Sequence, residues 1–315
     1  MKIKNVAVLG AGTMGHGIAE LAALASCNVL LCDISDELLA KALNAIETNL
    51  NTLASPGERK ENSSAIIMRR IKCVKSISEA VVSADLVIEC LPEILEFKRK
   101  IFKELDEICK PDVILATNTS GLSPTAIAKG LKHPERVVVA HFWNPPQLIP
   151  LVEVVPGEKT SKETVDKTME WVKVLGKQPV RMRRECLGFI GNRLQFALLR
   201  EALYIVEQGY ADTEEVDKSI MYGHGRRLPV TGPFCSADMG GLDIFHNISA
   251  YLFADLSNAS EPSGLMQKLV EEGNLGLKSG RGFYDWTPEM KEKMLKLRTD
   301  TLIDFLEKDE RNRTV

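Results

Sequence analysis

The sequence shows no excess of either charge. Its 40 Lys and Arg stand against 43 Asp and Glu, a formal net charge of -3 over 315 residues. Nucleic-acid-binding domains usually carry a clear positive excess, so this balance argues against such a binder. A 44% hydrophobic fraction also excludes a disordered chain. No apolar run approaches the roughly 18 residues that would span a bilayer. The opening MKIKNVAVLG holds too short an apolar stretch for a secretion signal. A cytoplasmic protein with no nucleic-acid and no membrane partner is expected. Histidine is scarce, five in all, and no two have metal-ligand spacing. The seven cysteines never form a C-x-x-C pair, and several end strand-like runs (VLLC, VIEC) where a thiol is a small buried hydrophobe. Neither disulfides nor a metal site are expected.

What is present is a change of pattern along the chain. The first half alternates short, continuously apolar runs with longer amphipathic stretches. Strands are expected at Asn5–Leu9, Asn28–Cys32, Leu86–Glu89, Val113–Thr117, Val137–His141 and Leu151–Val155, with helices such as Asp36–Leu50 and Glu96–Cys109 between them. Uninterrupted apolar strands suit a parallel sheet buried on both faces, and the β/α alternation points to a Rossmann-type, doubly wound α/β domain. Strand runs stop near Arg181–Gly188. A broad apolar helical face follows, from Phe189 to Val206, with Gly209 as its C-cap and Asp212–Glu215 as a capping box for the next helix. The expected division is a nucleotide-binding domain over 1–185 and an all-α domain over 186–315. A polar insert, Ser55–Ser64, interrupts the first domain, and a charged terminal helix starts near Pro288.

The strand Asn5–Leu9 runs straight into Gly10-Ala-Gly12-Thr13-Met14-Gly15. In a strand–turn–helix context, Gly10 permits the turn, Gly12 lets a pyrophosphate approach the backbone, and Gly15 lets helix and strand pack closely. The helix N-terminus supplies N–H groups and a favourable dipole for phosphate. Asp33 ends the second strand, where a carboxylate accepts both ribose hydroxyls. No Arg or Lys follows it closely; the next residues are Ile34-Ser-Asp36. NAD(H) is therefore favoured over NADP(H).

A second constellation sits further along. His141 lies at the carboxyl end of a buried strand, where doubly wound sheets bind ligands. Glu153 lies inside the apolar strand LVEVV and must find a partner. A turn through Phe142-Trp-Asn-Pro-Pro146 is compatible with bringing the two together. Imidazole is a suitable base near neutral pH, and an adjacent carboxylate fixes its tautomer and stabilises the imidazolium. A buried structural hydrogen bond would explain the pair equally well. Ser120 and Asn118, after the strand Val113–Thr117, are candidates for contacts to a reacting oxygen and a nicotinamide ribose; the alternative is a local serine/threonine turn. Asn192, in GFIGNR, is a candidate donor to a substrate carbonyl, with the glycines allowing a ligand close.

Together GAGTMG with Asp33, PEILEFK, NTS, HFWNP, Glu153, GFIGNR, GPFCSADMGGLD and GLKSGRGFYDW resemble the L-3-hydroxyacyl-CoA dehydrogenase family from about residue 3 to 290. The resemblance implies that His141 is the general base or acid, oriented by Glu153, and that Ser120 and Asn192 contact the substrate oxygens. It places Gly10, Gly12, Thr13, Met14, Gly15, Asp33, Glu93, Lys98, Asn118 and Asn144 on NAD. It implies a homodimer formed through the C-terminal domain and a small-molecule substrate, a 3-hydroxyacyl-CoA. Family members acting on CoA esters carry basic residues after the second strand. Here ETNLNTLASPGE has none, and Arg59, Lys60, Arg69 and Arg70 follow it. NPPQLIPLVEVVPGEKT and GNRLQFALLREAL resemble branches that oxidise free acids: L-gulonate 3-dehydrogenase (the lambda-crystallin group) and dehydrogenases of pyridine carboxylates. Arg193, Arg226 and Arg227 are candidates to hold a free carboxylate.

Overall fold

The computed structural model describes residues 3–53 and 64–313. The expected insert Ser55–Ser64 and the candidate cations Arg59 and Lys60 fall almost wholly outside them. The chain divides into two compact units, Met1–Gly191 with Arg298–Val315, and Asn192–Leu297.

The first unit alternates β1 (Asn5–Leu9), α1 (Thr13–Leu24), β2 (Asn28–Cys32), α2 (Asp36–Leu53), α3 (Ser64–Met68), β3 (Ile71–Val74), α4 (Ile77–Val81), β4 (Leu86–Glu89), α5 (Leu95–Ile108), β5 (Ile114–Thr117), α6 (Pro124–Ile127), β6 (Val137–Phe142), β7 (Leu151–Pro156), α7 (Lys162–Val174) and β8 (Gln178–Arg181). The eight strands form one sheet in the order β3-β2-β1-β4-β5-β6-β7-β8. All neighbours are parallel except β6 and β7. Strand order reverses between β1 and β4, so their loops diverge to opposite faces and leave a crevice at the carboxyl ends.

Alternation along each strand builds two cores. Val6 and Val8 face a cluster with Ile18, Ala22, Ile46 and Trp171, from α1, α2 and α7. Ala7 and Leu9 face the opposite cluster, with Phe102, Leu105 and Ile127 from α5 and α6. The central runs are apolar throughout because both faces are covered. The two strands not anticipated, β3 and β8, are the sheet's edges. They are four residues each (IKCV and QPVR), and half-solvated edges need no apolar run and tolerate Pro179.

Next come α8 (Gly191–Glu207), α9 (Thr213–Tyr222), α10 (Pro233–Gly240), α11 (Leu242–Leu252) and α12 (Gly264–Glu271). The last helix, α13 (Pro288–Arg313), begins in the second unit, but from Arg298 on it groups with the first and not with the all-α domain expected over 186–315. Gly209 has φ +69°, and the amides of Gly209 and Tyr210 return to the carbonyls of Val206 and Ile205, a helix-ending pattern that glycine favours. Asp212 does precede α9, but its side chain makes no cap hydrogen bond. Among the described residues no helix is long and apolar enough to cross a membrane.

Candidate active site

At the crevice the glycines of the first turn have separate steric duties. Gly10 has φ +99°, and a Cβ there would lie 2.8 Å from the Cys90 carbonyl oxygen. A Cβ on Gly15 would lie 1.8 Å from the Gly10 oxygen, so α1 closes on the turn only because that atom is missing. Gly12 faces open space, with nothing within 4 Å of a Cβ, and caps α1 without a side-chain hydrogen bond. Thr13 is exposed and Met14 half-buried behind it. The helix thus presents an uncapped N-terminus over an open cradle, which suits a pyrophosphate. Asp33 follows β2. One carboxylate oxygen accepts the Ala11 amide at 2.9 Å and the other the Ser35 amide at 3.1 Å. Each retains a lone pair for a ribose hydroxyl. These residues fit NAD. One nearby cation was not evident from the sequence: Lys75, beyond β3, reaches Asp36 at 2.6 Å.

The ends of β4 and β5 form a buried polar network. Glu89 is fully buried and accepts from Lys98 at 2.7 and 2.8 Å, from the Thr117 hydroxyl at 2.7 Å and from the Leu91 amide. Lys98 is 1% exposed; its ammonium also donates to the Leu91 carbonyl and lies 3.3 Å from Glu93. Its donors thus meet the Glu89 carboxylate and the Leu91 carbonyl within the protein. Glu93 accepts from the Thr119 hydroxyl and from the amide and hydroxyl of Ser120. Burial pushes its carboxyl up, but those donors and the Lys98 charge outweigh burial and hold it below the usual carboxylate range. Asn118 accepts the Phe142 amide at 2.8 Å, tying the β5 loop to the end of β6. The reading of Glu153 came from an acid inside an apolar strand; Glu89, ending LVIE, carries the same signal.

His141 and Glu153 are direct cross-strand partners in the antiparallel β6–β7 register. Directly opposed residues share a face of the sheet, and His141 Nδ1 stands 2.8 Å from one oxygen of Glu153. That oxygen also accepts the Trp143 indole N–H at 3.3 Å. The other accepts the Ile190 and Gly191 amides, at the start of α8, at 2.9 and 3.0 Å. Burial raises the Glu153 carboxyl, but the hydrogen bonds from His141, Gly191, Ile190 and Trp143 outweigh it and keep the group below its ordinary range. A carboxylate acceptor places the imidazole proton on Nδ1 and leaves Nε2 with its lone pair. The ring is held between Trp143 and Phe189, with centroids at 5.7 and 5.6 Å.

Of the two glycines of GFIGNR, Gly191 serves the protein's own side chain: a Cβ there would lie 2.3 Å from Trp143 Cζ2, so the room it leaves is taken by the indole. Asn144 is exposed in the turn after β6. Asn192 belongs to the second unit. Of the candidate substrate cations, Arg70 donates to the Ala23 carbonyl at 2.8 Å. Arg226 donates to Met221 and lies over the Tyr222 ring.

Comparison with known proteins gives the family. The family described as 3-hydroxyacyl-CoA dehydrogenase, NAD binding domain, matches residues 5–186, and its C-terminal domain family matches residues 188–286. The chain is similar to 5-formyl-3-hydroxy-2-methylpyridine 4-carboxylate 5-dehydrogenase of Mesorhizobium japonicum, 34% identical over 91% of this chain and 92% of that one. It is also similar to a probable 3-hydroxybutyryl-CoA dehydrogenase of Bacillus subtilis, 38% identical over 91% of this chain and 98% of the other. A crystal structure of a 5-formyl-3-hydroxy-2-methylpyridine 4-carboxylic acid 5-dehydrogenase superposes with a TM-score of 0.87, covering 96% of this chain and 97% of that one. The two consecutive domain matches over 5–286, together with the nucleotide cradle, lead to one conclusion: the chain is an NAD-dependent dehydrogenase and belongs to the 3-hydroxyacyl-CoA dehydrogenase family.

Proposed function

We propose that the chain interconverts a 3-hydroxyacyl-CoA and its 3-oxo form, with His141 as the acid–base group. The observation that carries this reading is the 2.8 Å bond between His141 Nδ1 and Glu153, which points the other imidazole nitrogen away from its anchor. In oxidation His141 Nε2 takes the hydroxyl proton, and Glu153 stays ionised to compensate the imidazolium. In reduction the imidazolium returns that proton to the carbonyl oxygen. NAD, once bound, would supply the hydride-accepting and hydride-donating chemistry. Gly10, Gly12, Thr13, Met14 and Gly15 would hold its pyrophosphate and Asp33 its adenosine ribose, while Asn118 and Asn144 would contact the cofactor, Asn118 at the nicotinamide ribose. Glu93 shapes the loop that carries Ser120. Ser120 and Asn192 are assigned to the substrate oxygens.

A second reading, a small free hydroxy carboxylate as substrate, is favoured by the TM-score of 0.87 to a pyridine-carboxylate enzyme over nearly the whole chain. We also propose a homodimer through the second unit, where Phe234, Leu242, Tyr251 and Phe253 are 62–87% exposed. Sedimentation at micromolar concentration should give twice the chain mass.

NADH consumption with acetoacetyl-CoA, set against free 3-oxo acids, tests the substrate. Turnover of the thioester is expected, with kcat reduced about 10²- to 10⁴-fold in His141→Gln. Turnover of free acids alone would establish the second reading. Full activity in H141Q would remove the assigned base.

A further inference from the structure

The acid–base pair has a third member that its sequence neighbours do not suggest. Trp143 lies two residues beyond His141, in the turn leaving β6, and is half-buried. Its indole N–H donates to the same Glu153 oxygen that holds the imidazole, at 3.3 Å against 2.8 Å. Its ring is tilted 50° to the imidazole with centroids 5.7 Å apart. The absent side chain of Gly191 is what lets the indole lie there, since a Cβ would meet Trp143 Cζ2 at 2.3 Å. The indole is therefore seated by packing on one side and by a hydrogen bond on the other.

A carboxylate distributes its negative charge among its donors. Every N–H directed at Glu153 stabilises the anion and leaves less of it to stabilise a protonated imidazole. The Ile190 and Gly191 amides occupy one oxygen, and Trp143 competes with His141 for the other. We propose that Trp143 is a positioning residue: through Glu153 its indole N–H weakens the hold on the imidazolium, so that His141 gives up its proton more readily, and its ring fixes the imidazole plane. This rests on His141 being the acid–base group. Among the described residues Glu153 is the one charged side chain bonded to His141. The loop after β5 contributes Asn118 to the Phe142 amide, the segment before α8 contributes Phe189 and Ile190, α8 begins with Gly191, and β8 places Val180 beside Glu153.

The test is a histidine-selective NMR titration of the full chain, with the His141 signal assigned by its absence in His141→Gln. Two variants separate the indole N–H from the ring. Trp143→Phe removes both the N–H and one ring. Site-specific replacement by β-(3-benzothienyl)alanine keeps the bicyclic shape and puts sulfur where the N–H was, so it covers the case in which W143F does not fold. The expected result is a His141 proton affinity raised about 3-fold or more in the benzothienyl protein, a part of what one hydrogen bond to a charged group contributes. An unchanged or lowered affinity there would overturn the proposal. The titration needs no substrate, so a wild-type chain inactive on every thioester and acid tested would defeat the proposed reaction while leaving this measurement decisive. Where turnover is found, the sign follows: oxidation needs the neutral imidazole, so its acid limb moves to higher pH in the variant, and the alkaline limb of reduction moves the same way.

Discussion

A carboxylate inside an apolar sheet survives as an anion only if donors replace its water. Glu153 has four, two on each oxygen. Glutamine at this position has one acceptor oxygen and presents an NH₂ to the remaining donors. Either the imidazole and indole or the two amides must then lose their acceptor. Glu153→Gln is expected to lower kcat about 10²- to 10⁴-fold, as in triads whose orienting acid is lost, and to destabilise the fold by about 1–3 kcal/mol. The stability penalty carries its own pH signature. The folded carboxyl lies below its ordinary range, so its contribution is complete above the unfolded value and lost as pH falls through the folded one. Denaturant unfolding at neutral and acid pH should show the wild type and E153Q converging as the solution is acidified. Gly191→Ala probes the same spot sterically: displaced by the new methyl, Trp143 leaves Glu153, and kcat falls while NADH binding at the β1–α1 turn is retained.

Elements whose physics is local were legible in the sequence. The glycine turn, the fully buried strands and the acid after β2 each leave a residue-type signature, because a parallel sheet covered on both faces must be apolar throughout. The edges β3 and β8 left none, since half-solvated four-residue strands resemble loops. What stayed hidden at the site is what folding joins from afar: Lys75 beside Asp36, Trp143 on Glu153, and the α8 amides reaching β7. Lys98 illustrates the difference. Its motif suggested a ligand contact, yet its helix turns it inward onto Glu89 at the end of β4. Removing one member of a buried pair strands the other's charge. Lys98→Met should therefore destabilise the protein by about 3–5 kcal/mol, and the double variant with Glu89→Gln should recover part of that loss. Urea midpoints of the three proteins form the required cycle. If Lys98 served the cofactor instead, K98M would raise the Kd for NADH without lowering the midpoint.

At the scale of the whole molecule, one buried acid makes global stability depend on pH near neutrality. Glu20, on the inner face of α1, is fully buried; one oxygen accepts from Asn49 of α2 and the other has no hydrogen-bond partner among the described residues. Lys177, between α7 and β8, lies close enough to act on it but spends its ammonium on the Gln147 and Ile149 carbonyls. Burial dominates, opposed by the Asn49 bond and the Lys177 charge, and the carboxyl is pushed up to about 7 from 4.5. The folded protein thus binds a proton that the unfolded chain has already lost between those values. The contribution of Glu20 to stability is greatest below the unfolded value and declines as pH rises through the folded one, by about 3 kcal/mol in all. Glu20→Gln removes the ionisation but keeps the shape and the acceptor for Asn49. It should change stability little at pH 5 and raise it by about 1–3 kcal/mol at pH 8, read from urea unfolding at the two pH values. An equal effect at both would mean that Glu20 is ionised throughout and that Lys177, not burial, sets its charge.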